Sequence, residues 1–176
     1  MKQFIMPAMT ALILSACGDT VNNNSTTDST EQDQVATAPA PGIKLKDDKL
    51  NAIYQHYVHL TSALVKGDVK EARLAGNAIE TGAKEISGAE SLGLAAGKIT
   101  ATADIDAQRT AYATLSNDFI SLIKRSGLSS GALYVDFCPM AMDDKGAFWL
   151  SSDKAIQNPY FGEQMMTCGE VKETIQ

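Results

Sequence analysis

The sequence predicts a mostly helical fold, an antiparallel three-helix bundle followed by a small β-hairpin and loop region that carries cysteine and methionine. Three observations point there. Apolar residues recur at three- and four-residue spacing in three stretches between Leu50 and Leu122, the stripe of an amphipathic helix. The first two stretches open on aspartates suited to capping a helix N-terminus. After Gly131 the apolar period drops to two, as in a strand.

The first helix is capped by Asp47 or Asp48, turns Leu50, Ile53, Tyr57, Leu60 and Leu64 inward, and ends at Gly67. Asp68 with Glu71 three residues on has the capping-box pattern. It opens a second helix with Val69, Ala72, Ala75, Ile79 and Ile86 inward, a small-residue stripe that permits close helix approach. Gly82 weakens that helix, and the glycines at 88, 93 and 97 predict a loose connection, at most a short helical turn. A third helix runs from about Asp104 to Arg125, with Tyr112, Leu115, Phe119 and Leu122 inward and Gly127 as its stop. Short links make such helices antiparallel neighbours.

In the second region Leu133, Val135 and Phe137 alternate with Tyr134 and Asp136. Asp143-Asp144-Lys145-Gly146 reads as a turn and Ala147-Phe148-Trp149-Leu150 as the returning strand, while Asn158-Pro159 and Gly162 punctuate the remainder.

Upstream of the bundle the chain changes character twice. Met1-Lys2 is a short positive region, and Phe4 to Leu14 is an apolar run below the roughly 20 residues a membrane span requires. It ends in Leu14-Ser15-Ala16-Cys17, the pattern cleaved by lipoprotein signal peptidase. Residues 1–17 therefore read as a lipoprotein signal peptide, with Cys17 as the lipidation site and membrane lipid as its partner. Gly18 in place of aspartate favours an outer membrane over an inner one, with the domain facing the periplasm. Residues 18–42, rich in Asn, Ser, Thr, Ala and Pro, cannot bury enough apolar surface to offset ordering entropy and read as a disordered tether. Residues 43–176 form one domain, and 44% apolar content across 176 residues suffices for one core. A net charge of −6 with no cluster of Lys and Arg argues against nucleic acid.

Chemistry concentrates in the second region. Cys138-Pro139-Met140-Ala141-Met142 lies at the hairpin and Met165-Met166-Thr167-Cys168-Gly169 near the end. Soft thiolate and thioether groups select soft ions, Cu(I) and Ag(I) foremost, and Trp149 offers an aromatic face to cover such an ion. With Cys17 lipidated, Cys138 and Cys168 are also the one pair left to form a disulfide in an oxidising compartment. That bridge would close a loop of about thirty residues and stabilise by roughly 3–4 kcal/mol. Methionine is moreover a common core filler. His56 and His59, three apart on the first helix, can jointly reach one ion or serve as ordinary boundary residues. No Ser-His-Asp constellation, phosphate loop or His-rich zinc motif is present, and the cysteines lack Cys-x-x-Cys spacing, so no enzyme is expected.

The strings Leu133-Tyr134-Val135-Asp136-Phe137-Cys138-Pro139-Met140-Ala141, Gly146-Ala147-Phe148-Trp149-Leu150-Ser151, Asn158-Pro159-Tyr160-Phe161-Gly162 and Met165-Met166-Thr167-Cys168-Gly169 add a further lead. In this order they resemble a domain of unknown function found alone in small lipoproteins and appended to periplasmic adaptor subunits of copper/silver efflux pumps. The likeness is close over residues 133–171 and loose over the helices. It implies heavy-metal handling, with Cys138, Met140, Met165 and Cys168 at the family's Cys-Pro-Met and Met-x-x-Cys positions. Met142 and Met166 stand outside those positions. The reading that results is an envelope lipoprotein that binds Cu(I) or Ag(I), for buffering or for transfer to an efflux adaptor or another envelope protein. The alternative is a disulfide-stapled, non-catalytic module that docks on another envelope protein.

Overall fold

The computed structural model describes residues 42–176. The expected signal peptide with Cys17, and all of the expected tether except Gly42, lie outside the described residues.

The chain is mostly helical with small antiparallel sheets, as the periodicity predicts. Where three helices are expected, four long ones form: α1 (Asp48–Lys66), α2 (Val69–Ala83), α3 (Glu90–Ala101) and α4 (Ile105–Ser126). Each packs on the one before it through short turns. The additional element is α3, in the stretch whose glycines suggest a loose connection. Gly88 lies in the turn before α3 at φ +80, while Gly93 on α3 and Gly76 on α2 serve helix packing. A Cβ on Gly93 would lie 3.3 Å from Ala83 Cβ, and one on Gly76 would lie 3.2 Å from Ile99 Cγ2 and 3.3 Å from the Ala96 carbonyl. Small residues on both helices let α2 and α3 approach closely, and the packing gained offsets the weak helix propensity of glycine.

The caps follow local chemistry. The Asp47 carboxylate accepts the N–H groups of Lys49 at 2.8 Å and Leu50 at 3.0 Å, so Asp47 is the cap and Asp48 the first helical residue. Asp68 does the same for Lys70 and Glu71, and Asp104 for Ala107. Gly67 closes α1 at φ +70, a backbone shape that glycine adopts without steric cost. Glu71 does not reach back to complete a capping box; it pairs with His59 on α1.

Between α1 and α4 lies a buried aromatic stack, Tyr57 with Tyr112 and Phe119, at centroid distances of 5.6 and 5.0 Å. Its hydroxyls are joined: Tyr57 Oη lies 2.8 Å from Ser116 Oγ and 2.9 Å from Tyr112 Oη, and Thr61 Oγ1 lies 2.6 Å from Tyr112 Oη.

Strands β1 (Lys44–Leu45) and β2 (Leu128–Ser130) pair antiparallel and tie the start of the domain to the end of α4. The expected hairpin is present as β3 (Leu133–Cys138) and β4 (Ala147–Ser151). A strand without apolar alternation, β5 (Glu170–Ile175), completes an antiparallel sheet of order β4-β3-β5. Its register slips between the partners of Val135 and Asp136, leaving Lys172 as a bulge. β4 is an edge strand, yet its Leu150 N–H donates to Tyr57 Oη at 2.9 Å, so the helical layer closes that edge. Because Asp136 pairs with Trp149 and Cys138 with Ala147, these four share one face, opposite Leu133, Val135 and Leu150. The alternation therefore misplaces Asp136. It points to a covered face and is fully buried. Among the described residues no helix is long and apolar enough to cross a membrane.

Candidate functional site

The antiparallel pairing of β3 with β5 sets the end of one strand beside the start of the other. Cys138 is the last residue of β3, and Cys168 lies just before β5, after a 3₁₀ turn over Gly162–Met165. Their sulfurs stand 3.2 Å apart and unbonded. Cys138 is fully buried and Cys168 partly exposed. The contact with Cys138 is the main cause that lifts the Cys168 thiol above the ordinary thiol range, with burial adding to it. A hydrogen bond to the neighbouring sulfur favours the protonated form, so Cys168 holds its proton to higher pH than a free thiol.

The loop bearing Cys168 is held by residues whose sequence signal is only that of turn punctuation. Buried Asn158 donates from Nδ2 to the Cys168 carbonyl at 2.7 Å. Its Oδ1 accepts the N–H groups of Tyr160 at 2.8 Å and Phe161 at 3.3 Å, and its own N–H donates to the Met166 carbonyl at 2.8 Å. This is the Asx-turn chemistry that an Asn before Pro makes available. Arg109 on α4 donates to the Pro159 carbonyl at 3.0 Å and to the Leu64 carbonyl of α1 at 3.2 Å, pinning the loop to both helices. Tyr160 donates to the Phe148 carbonyl at 2.6 Å, and its ring meets Trp149 edge-on at 5.9 Å. Gly169 sits at φ +145 with no room for a side chain, since a Cβ would lie 2.9 Å from the Trp149 ring.

Trp149, expected as a cover over an ion, is buried with its ring against Gly169, next in the chain to Cys168. Met140 is 47% exposed at the start of the turn after β3. With half-buried Met142 it lines a cleft of about 630 Å³ shared with Asp106, Arg109 and Tyr160. Met165 and Met166 are half-buried on the other segment, where the Met165 carbonyl accepts the Cys168 N–H at 3.0 Å. The structure thus brings the two cysteines together, and the methionines flank them along the chain. His56 and His59 are both exposed on α1, and His59 Nε2 lies 2.9 Å from Glu71 Oε2 of α2. Among the described residues no three His, Cys, Asp or Glu side chains converge in a way that would hold a metal ion.

Two features near the pair escape sequence reading. The turn expected at Asp143-Asp144 is left-handed over three successive side-chain-bearing residues, Met142, Asp143 and Asp144, at φ 55, 55 and 61. Such a run costs roughly 1–2 kcal/mol per residue. Asp136, two residues before Cys138 on the same face, has both carboxylate oxygens buried without a hydrogen bond, and burial pushes its carboxyl up to about 7.

No curated protein and no solved structure matches the chain. Residues 53–131 match a family model described as a protein of unknown function (DUF3347). The match runs from α1 to just past β2 and stops before Leu133, so the stretch of closest expected resemblance, with both cysteines, lies beyond it. Over residues 53–131 the chain is therefore similar to the DUF3347 family, whose function is unknown.

Proposed function

We propose that this protein is an exported lipoprotein, anchored through Cys17, whose reduced Cys138–Cys168 pair captures a soft monovalent ion. Cu(I) or Ag(I) is the cargo, held for buffering or for transfer to an efflux adaptor or another envelope protein. The observation that supports this is the 3.2 Å approach of two sulfurs on segments that each carry methionine. Thiolates prefer soft ions over the hard cations of the medium. With metal–sulfur bonds of about 2.3 Å, two sulfurs sharing an ion must part to about 4 Å. Cys168 is held through its main chain, which leaves its side chain free to make that move. Ligation requires both thiols to lose their protons, so the raised Cys168 thiol makes uptake stronger as pH rises.

Anaerobic titration of the reduced chain with Cu(I) against a chromogenic chelator tests the reading. Saturable binding that disappears in Cys138→Ser with Cys168→Ser is expected. Its absence, or binding indifferent to those substitutions, overturns the reading. Labelled palmitate should enter the chain in cells and be lost in Cys17→Ser.

The same sulfur distance favours a second reading, a disulfide-stapled interaction module. The pair needs only to close to about 2.05 Å to form a bridge. Freshly isolated protein with no reactive thiol, in which removing the pair only lowers thermal stability, would support the staple.

A further inference from the structure

The two cysteines differ in what they meet. Cys138 is 0% exposed on the inner face of β3, whereas Cys168 is partly open to solvent on a loop. Asn158 and the tight seat of Gly169 under Trp149 fix the main chain at Cys168, which sets its sulfur within reach of Cys138, 3.2 Å away. A reagent arriving from solvent reaches Cys168, and only then can its sulfur be passed inward.

We propose that Cys168 is the exchange sulfur of a reversible thiol–disulfide switch and Cys138 its buried resolving partner. The oxidant is a disulfide, R–S–S–R, of a small thiol or another protein. The Cys168 thiolate attacks one sulfur of R–S–S–R, forming Cys168–S–S–R and expelling one RS⁻. The Cys138 thiolate then attacks the Cys168 sulfur, forming the Cys138–Cys168 bond and expelling the second RS⁻. Two electrons pass from the pair to the reagent, and the two thiol protons leave with the two RSH products. An excess of RSH reverses both steps through the same sulfur. The closed bridge offers no thiolate, so oxidation empties the ion site. This last consequence rests on the ion-binding reading; the exchange itself does not.

The experiment treats the reduced full chain with oxidised glutathione, quenches with acid, and locates adducts by peptide mass mapping, which separates Cys17 from the pair. The wild-type chain is expected to give the Cys138–Cys168 bridge with little retained glutathione. Cys138→Ser should retain glutathione on Cys168, and Cys168→Ser should leave Cys138 largely unmodified. Limited alkylation of the folded wild-type chain should label Cys168 before Cys138, a readout that needs no substitution. Equal or preferential labelling of Cys138, or failure of the pair to bridge, overturns the proposal. A pair that bridges but never binds Cu(I) when reduced leaves the switch standing and removes the ion reading. Cu(I) bound equally by the bridged chain would instead show that the bridge does not gate the site.

Discussion

The side-chain amide of Asn158 donates to the Cys168 carbonyl at 2.7 Å while its oxygen takes the N–H groups of Tyr160 and Phe161. One buried residue therefore couples the turn at Pro159 to the position of the partly exposed sulfur. Asn158→Ala leaves buried main-chain groups without partners, at a cost of about 1–3 kcal/mol for each unsatisfied group. Scanning calorimetry is expected to show a lowered melting temperature. A glutathione buffer that half-oxidises the wild-type pair should oxidise the variant less. Asn158→Asp keeps the acceptor, loses the donor, and should fall between the two.

Tyr57 closes the β4 edge and sits in the hydroxyl network, so its oxygen serves both layers of the fold. Tyr57→Phe preserves the ring stack with Tyr112 and Phe119 but orphans the Leu150 N–H. A loss of about 1–3 kcal/mol is expected in urea unfolding. Faster amide exchange at Leu150 would locate the damage at the strand edge; unchanged exchange there would contradict this account.

Asp136 should make stability fall as pH rises. Below its ordinary value of 3.8 the carboxyl is protonated in both the folded and unfolded chain, and burial adds no charge penalty. Between 3.8 and about 7 the unfolded chain releases a proton that the folded chain keeps, so folding loses stability with each rise in pH. Above about 7 the penalty is complete, on the order of 4 kcal/mol. Asp136→Asn removes it. Relative to wild type, the variant should gain stability from pH 4 to 7, hold that gain above pH 7, and show none below pH 4. Melting curves across this range decide the point.

The Cys168 thiol should react with iodoacetamide with a pH midpoint above that of an ordinary thiol. Because Cys138 is the largest cause, Cys138→Ala should bring the midpoint down towards the ordinary value. An unchanged midpoint would show that burial alone sets it.

Much of the helical layer is legible in the sequence because its signals are local. Asp47 and Asp68 cap where capping chemistry predicts, and Gly67 stops α1 through a conformation it adopts freely. What escapes is decided by neighbours distant in sequence. Gly93 breaks a helix in isolation and suits one when Ala83 lies 3.3 Å from where its Cβ would be. Strand β5 has no apolar alternation and exists because β3 offers an edge to pair with. The cysteines are visible as residues, but their 3.2 Å contact depends on the β3–β5 register and on Asn158, which local reading marks only as a turn. Asp136 is misread for the same reason, since alternation cannot show that both faces of β3 are covered.

The sheet's two edges have different fates. Tyr57 caps β4 from within, while β5 meets solvent with Glu170, Lys172 and Glu173 and a bulge at Lys172. A flat apolar border would recruit strands from neighbouring molecules; a kinked, charged one does not. Many copies can therefore be crowded side by side without zipping into fibres, a tolerance that matters for any protein concentrated on a surface.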